Sequence, residues 1–501
     1  MARACAAKIV RLGVALLASA AWIRPLAAQT LRGSAAAGSD RAQGPPPSSA
    51  TPPSDGNPPL HSPQPLPIAP ISTSAVPLHA SDGTHHVYVY VGSPPQRRTL
   101  IVDTGSRLMA FPCKPCPSCG KHTSGSHYDP RISTTDVPIP CGACKFQGLS
   151  KCSWQEVGVA ADDDGGRCVF DQHYTEGSSL TAYEVEDLIW LGTASESDSV
   201  DLHMGSAVPF TFGCQMSETG LFRTQYADGI IGMNMHPTSL MAALIEAGAV
   251  PRDAFGLCLD REGGMLAFGG TSLTYSYDHG DRIGDENESE GRTRKQTGQD
   301  TRRGPRHLEP MQFTPLVNHQ GWYTIQVISV HVGDVLITSD PKILFGFNSG
   351  KGTIIDSGTT DTYLPRSASG AVMGVWKVAA GRELSHMKQR YSFEEFGRLP
   401  EVTLGLEGGV VWSIPPVSYM EPLKPMAGTK EAVARDNEDL RGGPWEGTRI
   451  FTNRIYVDEA SGCVLGGNAM LNHDILFDVT GGRIGVAQAD CAYSGSGRAR
   501  A

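Results

Sequence analysis

Two short motifs bring the same chemical groups to different halves of the 501-residue chain. Residues 100–106 read LIVDTGS and residues 353–359 read TIIDSGT, so each apolar run ends in an aspartate, a hydroxyl residue, a glycine and a second hydroxyl residue. When two carboxylates share a hydrogen-bonded site, repulsion separates their proton affinities, and the pair holds a single proton. One carboxylate can then act as a base toward water, while its protonated partner acts as an acid toward a carbonyl group.

The motifs also carry the groups that such a pair needs around it. We predict that Asp103 and Asp356 are the catalytic residues. The glycines of the two motifs, Gly105 and Gly358, would allow close backbone approach and offer amide donors. The hydroxyl groups predicted to orient the carboxylates belong to Thr104, Ser106, Ser357 and Thr359. This chemistry requires neither a metal nor a cofactor, and we expect neither.

A second repeated pattern follows each motif. Residues 227–233 read ADGIIGM and residues 462–468 read GCVLGGN. In both runs an apolar pair followed by glycine could cross behind the motif loop. A duplicated fold with one aspartate in each lobe explains both repeats.

The segments around the motifs favour strands. The 58 Gly and 35 Pro lie mostly between short apolar runs, which is typical of many strands joined by turns. The predicted strands lie within residues 86–105 (two strands and a turn), 179–192, 208–214, 264–270, 322–333 and 483–491. Helical patterns are few, and the clearest lie at residues 239–248, 368–384 and 393–399. The predicted fold class is therefore mainly β.

Composition limits the kind of partner. A hydrophobic fraction of 40% with 19% charged residues is ordinary for a globular protein. The formal net charge of −10 and the lack of a basic stretch free of acids argue against nucleic acid as a partner. We expect the protein to act as a monomer.

The N-terminus has the order of a secretory signal peptide, which we assign to residues 1–28. Basic residues precede the apolar stretch at residues 12–23, and small residues follow it. That stretch is short for a membrane span, although an uncleaved anchor is the alternative, and no later run of about 18 apolar residues occurs. Residues 29–80 are rich in Pro, Ser, Ala and Gly, and we predict a disordered leader because they cannot bury enough apolar surface to offset ordering.

Cysteine usage agrees with an oxidising compartment. The chain has 12 cysteines, of which Cys5 lies in the signal peptide. Seven of the other eleven lie within residues 113–168. We predict a disulfide framework, with a metal site as the alternative because CKPCPSC and CGAC have ligand-like spacing. Eleven cysteines cannot all pair with one another, so one thiol should be free or bonded to a partner.

Two stretches have the composition of surface insertions. Residues 274–308 are dense in both charge signs and contain a glycosylation sequon at Asn287, and residues 422–447 are similar but milder. Such segments are typical of solvated loops. Residues 496–501 are predicted to be a disordered tail.

The motifs together resemble those of the pepsin-type (family A1) aspartic endopeptidases. Besides the aspartate motifs and the apolar-apolar-glycine runs, LPEVTLGLEGG and IPPVSYM within residues 399–420 carry the resemblance, which extends from about residue 86 to residue 491. It implies a bilobal β fold with an active-site cleft between an N-terminal lobe, residues 81–273, and a C-terminal lobe, residues 309–495. The substrate would be a polypeptide, and Asp103 and Asp356 would be the catalytic pair.

The resemblance also implies a flap over the cleft. HYTEGSS at residues 173–179 falls where this family has its flap hairpin, which makes Tyr174 the flap tyrosine. The form Tyr-x-Glu-Gly-Ser, the cysteine-rich segment at residues 113–168 and FGCQMSETGLF at residues 212–222 are similar to the plasmepsin V group of apicomplexan export proteases. That group cleaves secretory cargo after the Leu of an Arg-x-Leu motif, in the endoplasmic reticulum or Golgi. Glu176 stands where the group has an acid that could pair with the substrate Arg.

The chain departs from the family in several places. Ala110 stands where pepsins carry a Trp beside the flap, and Thr175 stands where the plasmepsin V group often has Cys. The leader lacks the basic helix that masks the cleft in pepsin-type zymogens. The chain ends in SGSGRARA without a membrane anchor, so we expect a lumenal or secreted form or an incomplete chain. The alternative function is a catalytically inactive binding or inhibitor protein with the same fold.

Overall fold

The computed structural model describes residues 74–154, 166–192, 207–274, 305–319, 321–423 and 448–492. Outside these ranges lie the predicted signal peptide, residues 29–73 of the leader, the sequon at Asn287, residues 424–447 and the tail. Strands dominate the described residues, and the prediction of a mainly β, two-lobed fold is confirmed.

Short strands make up both halves of the chain. In the N-terminal half they are β1 (Ser74–Ser81), β2 (Thr84–Val91), β3 (Gln96–Asp103), β4 (Met109–Pro112), β5 (Val137–Pro138), β6 (Lys151–Ser153), β7 (Arg167–His173), β8 (Ser179–Gly192), β9 (Val208–Glu218), β10 (Gly229–Gly232), β11 (Ala254–Asp260) and β12 (Gly263–Phe268). In the C-terminal half they are β13 (Arg306–His307), β14 (Gln312–Pro315), β15 (Val317–His319), β16 (Trp322–Ile325), β17 (Val327–Val332), β18 (Val335–Leu336), β19 (Thr353–Ile355), β20 (Thr362–Pro365), β21 (Gln389–Ser392), β22 (Val402–Leu406), β23 (Val411–Ile414), β24 (Met420–Pro422), β25 (Thr448–Asn453), β26 (Ile455–Glu459), β27 (Cys463–Leu465), β28 (His473–Asp478) and β29 (Arg483–Asp490).

Helices are short and lie between strands. They are α1 (Leu240–Glu246), α2 (Pro341–Asn348), α3 (Ser369–Ala380), α4 (Phe393–Gly397), α5 (Pro416–Tyr419) and α6 (Gly467–Met470). The periodicities at residues 239–248, 368–384 and 393–399 correctly predicted α1, α3 and α4. A capping box begins α4, where the Ser392 hydroxyl accepts from the Glu395 amide and the Glu395 carboxylate accepts from the Ser392 amide.

One large sheet joins the two halves. Among the described residues its strand order is β13-β29-β28-β11-β12-β1-β2-β3-β10-β4-β9-β8-β7-β6. The junction is the antiparallel pair of β11 and β28, in which Leu257 lies opposite Ile475. Three further sheets have the orders β15-β16-β19-β27-β20-β26, β18-β17-β22-β23 and β21-β25-β24. Both aspartate motifs thus follow strands that are flanked on either side.

An aromatic cluster in the core ties the halves together below the motifs. Phe255 of β11 stacks on Phe477 of β28 at a centroid distance of 4.6 Å, and Tyr323 of β16 meets Phe477 edge-on at 4.6 Å. The Tyr323 hydroxyl donates to the Met233 carbonyl at 2.8 Å, directly after β10. Burying each such side chain contributes roughly 1.5–3 kcal/mol. The floor of the site is therefore held by packing as well as by hydrogen bonds.

The predicted bounds of three segments differ from the observed ones. The leader was predicted to run to residue 80, but β1 starts at Ser74 and pairs with β2 and β12, which gives these residues a sheet to bury against. The charged insertion was predicted to run to residue 308, but β13 pairs with β29 and buries His307. Residues 322–333 form two strands, because β16 pairs with β19 whereas β17 pairs with β22 in another sheet.

The prediction of a disulfide framework is confirmed. The bonds are Cys113–Cys214, Cys116–Cys119, Cys141–Cys152, Cys144–Cys168 and Cys258–Cys491. Among the described cysteines only Cys463 is unpaired, and it is buried. The sulfurs of Cys144 and Cys168 lie near the Glu184 carboxylate, but both are already bonded to each other. The cysteines of this segment that had ligand-like spacing are therefore paired in disulfides.

No helix in the described part of the chain has the length and apolar character needed to cross a bilayer.

Candidate active site

The first aspartate lies at the end of a strand with neighbours on both sides. In the parallel pair of β3 and β10, Ile231 lies opposite Val102 and Gly232 lies opposite Asp103. The Met233 amide then donates to the Asp103 carbonyl at 2.8 Å. The apolar-apolar-glycine run of residues 227–233 therefore crosses behind the motif loop, as the sequence indicated.

The second aspartate has the same setting. β19 and β27 run parallel, with Ile355 opposite Leu465, and the Asp356 amide donates to the Leu465 carbonyl at 3.0 Å. The Gly467 amide donates to the Thr359 carbonyl at 2.7 Å. The two motif loops therefore have nearly the same backbone contacts, one set in each half of the chain.

Hydroxyl groups lock the two loops to each other. The Thr104 amide donates to the Ser357 hydroxyl at 3.1 Å, and the Ser357 amide donates to the Thr104 hydroxyl at 2.9 Å. The Thr104 hydroxyl in turn donates to the Ile355 carbonyl at 2.9 Å, and the Ser357 hydroxyl donates to the Val102 carbonyl at 2.7 Å. We predicted that Thr104 and Ser357 orient the carboxylates. They bond the opposite backbone instead, because both side chains are buried beneath the loops.

The motif glycines bring each loop against the opposite carboxylate. A Cβ atom placed on Gly105 would lie 2.6 Å from Cγ of Asp356, and one placed on Gly358 would overlap the carboxylate of Asp103. Real Cβ atoms do not approach other atoms so closely. The absence of a side chain at these two positions is therefore what lets the carboxylates face each other.

Each carboxylate also accepts a hydrogen bond from its own loop. The Gly105 amide donates to Asp103 Oδ1 at 2.8 Å, and the Gly358 amide donates to Asp356 Oδ1 at 3.0 Å. The Thr359 hydroxyl donates to Asp356 Oδ2 at 2.7 Å. These bonds fix the planes of both carboxyl groups.

The electrostatic environment favours a proton on Asp103. Burial and the nearby Asp356 carboxylate raise the pKa of Asp103 to about 8, while the Ser106 hydroxyl and the Gly105 amide act in the opposite direction. The Ser106 oxygen is buried and lies against Asp103, although no hydrogen bond of good geometry joins the two. The arrangement can thus hold one acid and one base side by side.

Trp322 is a site residue that sequence reasoning missed. Its indole Nε1 donates to the Gly105 carbonyl at 3.1 Å, so a residue of the C-terminal half supports the first motif loop. The only sequence signal was an aromatic pair, Trp322 and Tyr323, at the start of a strand. Nothing in that pattern indicates which loop the pair reaches.

The predicted flap is a hairpin between β7 and β8. At its tip the Tyr174 amide donates to the Ser178 carbonyl at 2.9 Å, and Gly177 turns the chain with a φ of 96°. The ring of Tyr174 lies 4.9 Å from that of Phe222, and both pack against a buried cluster that includes Ala110. Phe222 therefore supports the flap tyrosine in a site where the pepsin Trp is replaced by Ala110.

The flap tyrosine and the first aspartate are close enough to interact. Burial, followed by the negative charges of Asp103 and Glu176, raises the pKa of Tyr174 above its usual range. Glu176 itself is exposed at the flap tip, and no described residue forms an ion pair with it. Its exposed carboxylate is accessible to a group from outside the chain.

Two family models match the chain, one on each motif. The model described as Xylanase inhibitor N-terminal matches residues 85–270, and the one described as Xylanase inhibitor C-terminal matches residues 322–488. Together they cover more than half of the chain.

The chain is also similar to curated proteins from parasites and plants. It is 29% identical to Aspartic protease 5 of Toxoplasma gondii, over 54% of this chain and 28% of that protein. It is 27% identical to Aspartic proteinase 36 of Arabidopsis thaliana, over 83% of this chain and 75% of that protein. Identity to plasmepsin V of Plasmodium falciparum is 27%, over 37% of this chain and 29% of that protein. The match thus spans less than a third of each parasite relative.

Proposed function

Because the chain belongs to the pepsin-type aspartic protease family, we propose that it is an aspartic endopeptidase whose catalytic pair is Asp103 and Asp356. The observation that carries this proposal is the mutual packing of each motif glycine on the opposite carboxylate. That packing holds two acids in one site, which is the requirement for a shared proton.

The chemistry follows from the environments of the two acids. Asp103, the more buried, holds the proton and donates it to the oxygen of the scissile carbonyl. Asp356, whose Oδ2 accepts from Thr359, is the base that takes a proton from the attacking water. Acid and base catalysis of this kind contributes typically about 10²–10⁴-fold to a rate. The C–N bond then breaks, the proton taken from the water leaves with the amine, and a hydroxyl group of the intermediate returns its proton to Asp103 as the product carbonyl forms.

The loops and the flap support this reaction in our proposal. Thr104 and Ser357 keep the two loops in register, and Gly105, Gly358 and Thr359 set the carboxylate planes. Ser106 acts on charge, because its nearby hydroxyl lowers the pKa of Asp103. Tyr174 closes over an extended peptide from the side of Asp103. The lobes would then be residues 81–273 and 309–495, with β1 added to the N-terminal lobe.

We further propose that substrates carry an Arg-x-Leu motif, as the resemblance to the plasmepsin V group implies. The exposed Glu176 carboxylate at the flap tip supports this because it has no cationic partner among the described residues. A partly desolvated Arg–carboxylate contact is strong and geometrically selective. We propose that the enzyme acts in the lumen of the endoplasmic reticulum or Golgi, or after secretion. The signal-like N-terminus and the disulfides support this location.

A peptide assay tests both levels of the proposal. The purified chain is incubated with peptides that contain Arg-x-Leu or its Lys-x-Leu and Ala-x-Leu analogues, and products are identified by mass spectrometry. Wild type should cleave and Asp356→Asn should not, while Asp334→Asn, an exposed acid elsewhere, should behave like wild type. Turnover by neither wild type nor variant would favour the inhibitor-like alternative. Equal cleavage of all three peptides would remove Glu176 from the specificity role.

A further inference from the structure

A buried carboxylate in the N-terminal half, far in sequence from the aspartate motifs, is held by neutral donors. Asp187 of β8 has only 2% of its surface exposed. Its Oδ2 atom accepts from the hydroxyl groups of Tyr128 at 2.5 Å and Ser133 at 2.7 Å. Its Oδ1 atom accepts from the Thr135 hydroxyl at 2.5 Å and from the Leu188 amide at 2.7 Å. An ionised carboxylate is purely an acceptor, so these donors satisfy it without a cation.

The three hydroxyl groups come from one loop, residues 128–138, which we call the hydroxyl loop. The loop ends with β5, where Val137 lies opposite Glu186 of β8. In its middle the Thr134 amide donates to the Ser93 carbonyl at 2.7 Å, just after β2. The hydroxyl loop is therefore attached to the strand that leads away from the flap, and much of that attachment is to one buried carboxylate.

A second carboxylate, on the hydroxyl loop itself, meets the same tyrosine. Asp136 is half-buried, and its Oδ1 atom lies 3.4 Å from the Tyr128 hydroxyl oxygen. A tyrosine hydroxyl has a single hydrogen, and the contact of 2.5 Å places that hydrogen on the side of Asp187. The Tyr128 oxygen therefore turns its lone pairs toward Asp136. Asp136 can make a good contact there only as a donor, which requires that it carry a proton.

Little positive charge compensates the two carboxylates. Neither forms an ion pair within the described part of the chain, and the guanidinium of Arg167 lies over the Tyr183 ring at 5.5 Å. Burial, followed by the charge of Asp187, raises the pKa of Asp136 to about 7. The Tyr128 hydroxyl and the charge of Arg167 act in the opposite direction, the hydroxyl only when its hydrogen turns away from Asp187.

The other ionisable groups beside the hydroxyl loop are neutral, paired or directed elsewhere. Burial raises the pKa of Tyr183 to about 12, so its hydroxyl is neutral near pH 7. Asp129 accepts from the Arg131 guanidinium at 2.9 Å. Glu186 precedes Asp187 in β8, so strand alternation places it on the opposite face. The proton shared by the two carboxylates is therefore what pH changes at this contact.

We propose that the hydroxyl loop is a pH-sensitive contact, in which a proton on Asp136 completes a chain of hydrogen bonds through Tyr128 to Asp187. In the attached state Asp136 donates to the Tyr128 oxygen, and the Tyr128 hydroxyl donates to Asp187, so the two carboxylates carry one negative charge. When Asp136 releases its proton to solvent, two negative charges share one hydroxyl hydrogen, and the loop separates from β8 more often. This device goes beyond the proposed peptide hydrolysis and does not depend on it.

The direction of the effect follows from proton linkage. The pKa of Asp136 is about 7 with the loop attached, against an ordinary value of 3.8 when the loop is open and solvated. The contribution of the proton to attachment is therefore full below pH 3.8 and is lost as pH rises through 7. We expect the opening constant of the loop to be about 10-fold larger at pH 8 than at pH 5.5.

Hydrogen exchange of the full chain, followed by mass spectrometry, measures this opening. Exchange rates of peptides that cover residues 128–138 are divided by the chemical exchange rate of an unfolded peptide at each pH. Wild type and the exposed control Asp334→Asn should show the increase of about 10-fold between pH 5.5 and pH 8. Asp136→Asn should show none, because its carboxamide is neutral at both pH values and can donate to Tyr128. Other groups that titrate, such as Asp103, are present in all three proteins, so the difference isolates Asp136.

A second variant and an internal reference keep the test decisive. If Asp136→Asn does not fold, as judged by its circular dichroism, Asp136→Ala replaces it and should likewise show no increase with pH. Peptides over β22, in the other half of the chain, should show the same opening constant at both pH values in wild type. The proposal is overturned if wild type shows no increase in the hydroxyl loop, if the variant keeps the full increase, or if β22 opens with pH as much as the loop does.

Discussion

The two motif loops have the same backbone design but different side-chain surroundings. Each aspartate accepts from the amide of the glycine two residues later, at 2.8 Å for Asp103 and 3.0 Å for Asp356. Only the second carboxylate has a hydroxyl donor of good geometry, Thr359 at 2.7 Å. Only the first has a flap tyrosine, Tyr174, within electrostatic reach.

Different features of the site determine where the two carboxylates lie and which of them carries the proton. The symmetric features, the amide donors and the glycine contacts, decide where the carboxylates lie. The asymmetric features, the deeper burial of Asp103 and the Thr359 hydroxyl on Asp356, decide which one is neutral. A near-symmetric scaffold can therefore support two different chemical roles.

The largest expected effect comes from breaking the symmetric part. Gly105→Ala and Gly358→Ala each place a methyl group on the opposite carboxylate, so we expect kcat/KM to fall by about 100-fold or more. Gly358→Ala should be the worse of the two because its contacts with Asp103 are shorter. Steady-state peptide cleavage measures both.

Gly374→Ala is the matched control for the glycine changes. Gly374 lies in α3, and a Cβ there meets no atom within 4 Å. Activity should be unchanged, with a gain in stability of roughly 0.5–1 kcal/mol from better helix propensity. Full activity in Gly358→Ala would contradict the proposed approach of the two loops.

The next effect comes from removing the asymmetric hydroxyl groups. Thr359→Val deletes a donor 2.7 Å from Asp356 and should lower kcat by about 10-fold. Ser106→Ala deletes a hydroxyl that makes no well-formed bond, so we expect a loss of less than about 3-fold. Equal losses in the two variants would show that the hydroxyl groups do not distinguish the two acids.

The pH dependence of stability reports on the buried proton of Asp103. Its pKa is about 8 in the folded protein against an ordinary value of 3.8, so its contribution to stability is full below pH 3.8 and is lost as pH rises through 8. Asp103→Asn removes this penalty. At pH 8 we expect it to exceed wild type in free energy of unfolding by an amount on the order of 1–3 kcal/mol, shrinking toward pH 4.

Urea unfolding at several pH values measures this difference. Wild-type cleavage should also decline as pH approaches 8, because Asp103 then loses the proton that it donates to the scissile carbonyl. A stability difference that is the same at pH 4 and pH 8 would place the shared proton elsewhere.

The smallest expected effect concerns the flap over Asp103. Phe222→Leu removes the ring that contacts Tyr174 at 4.9 Å, an interaction worth about 0.5–1.5 kcal/mol. We expect kcat/KM to fall by about two- to fivefold, mainly through KM. Leu221→Ala, at an exposed neighbouring position, is the control and should change neither constant. A fall in Leu221→Ala as large as that in Phe222→Leu would assign the effect to the loop instead of the ring contact.

The sequence predicted a strand well where its bounds depend on neighbouring residues. β8 was predicted at its observed bounds because fourteen residues of apolar and polar alternation end at turn residues on both sides. The pairing of β10 with β3 was indicated by the repeated apolar-apolar-glycine run. The break at Gln326 was missed, because strand periodicity continues across it while the two strands enter different sheets.

The candidate site divides in the same way. The two aspartates and their glycines could be identified because each motif is contiguous. The support from Trp322 to Gly105 and the ring of Phe222 under Tyr174 could not, since these contacts join residues far apart in the chain. The partner of Cys113 within the framework, Cys214, was likewise hidden, because spacing cannot tell which thiols meet in space.

The sequence alone indicated the mainly β class, the paired aspartate motifs and the disulfide framework, because each depends on residue types a few positions apart. The turn that carries Tyr174 was implied by the family resemblance. Only the tertiary structure decided that Thr104 and Ser357 bond the opposite backbone and that Asp103 is the more buried acid. Burial and charge balance are properties of what surrounds a group, and those surroundings come from segments that only the folded chain brings together.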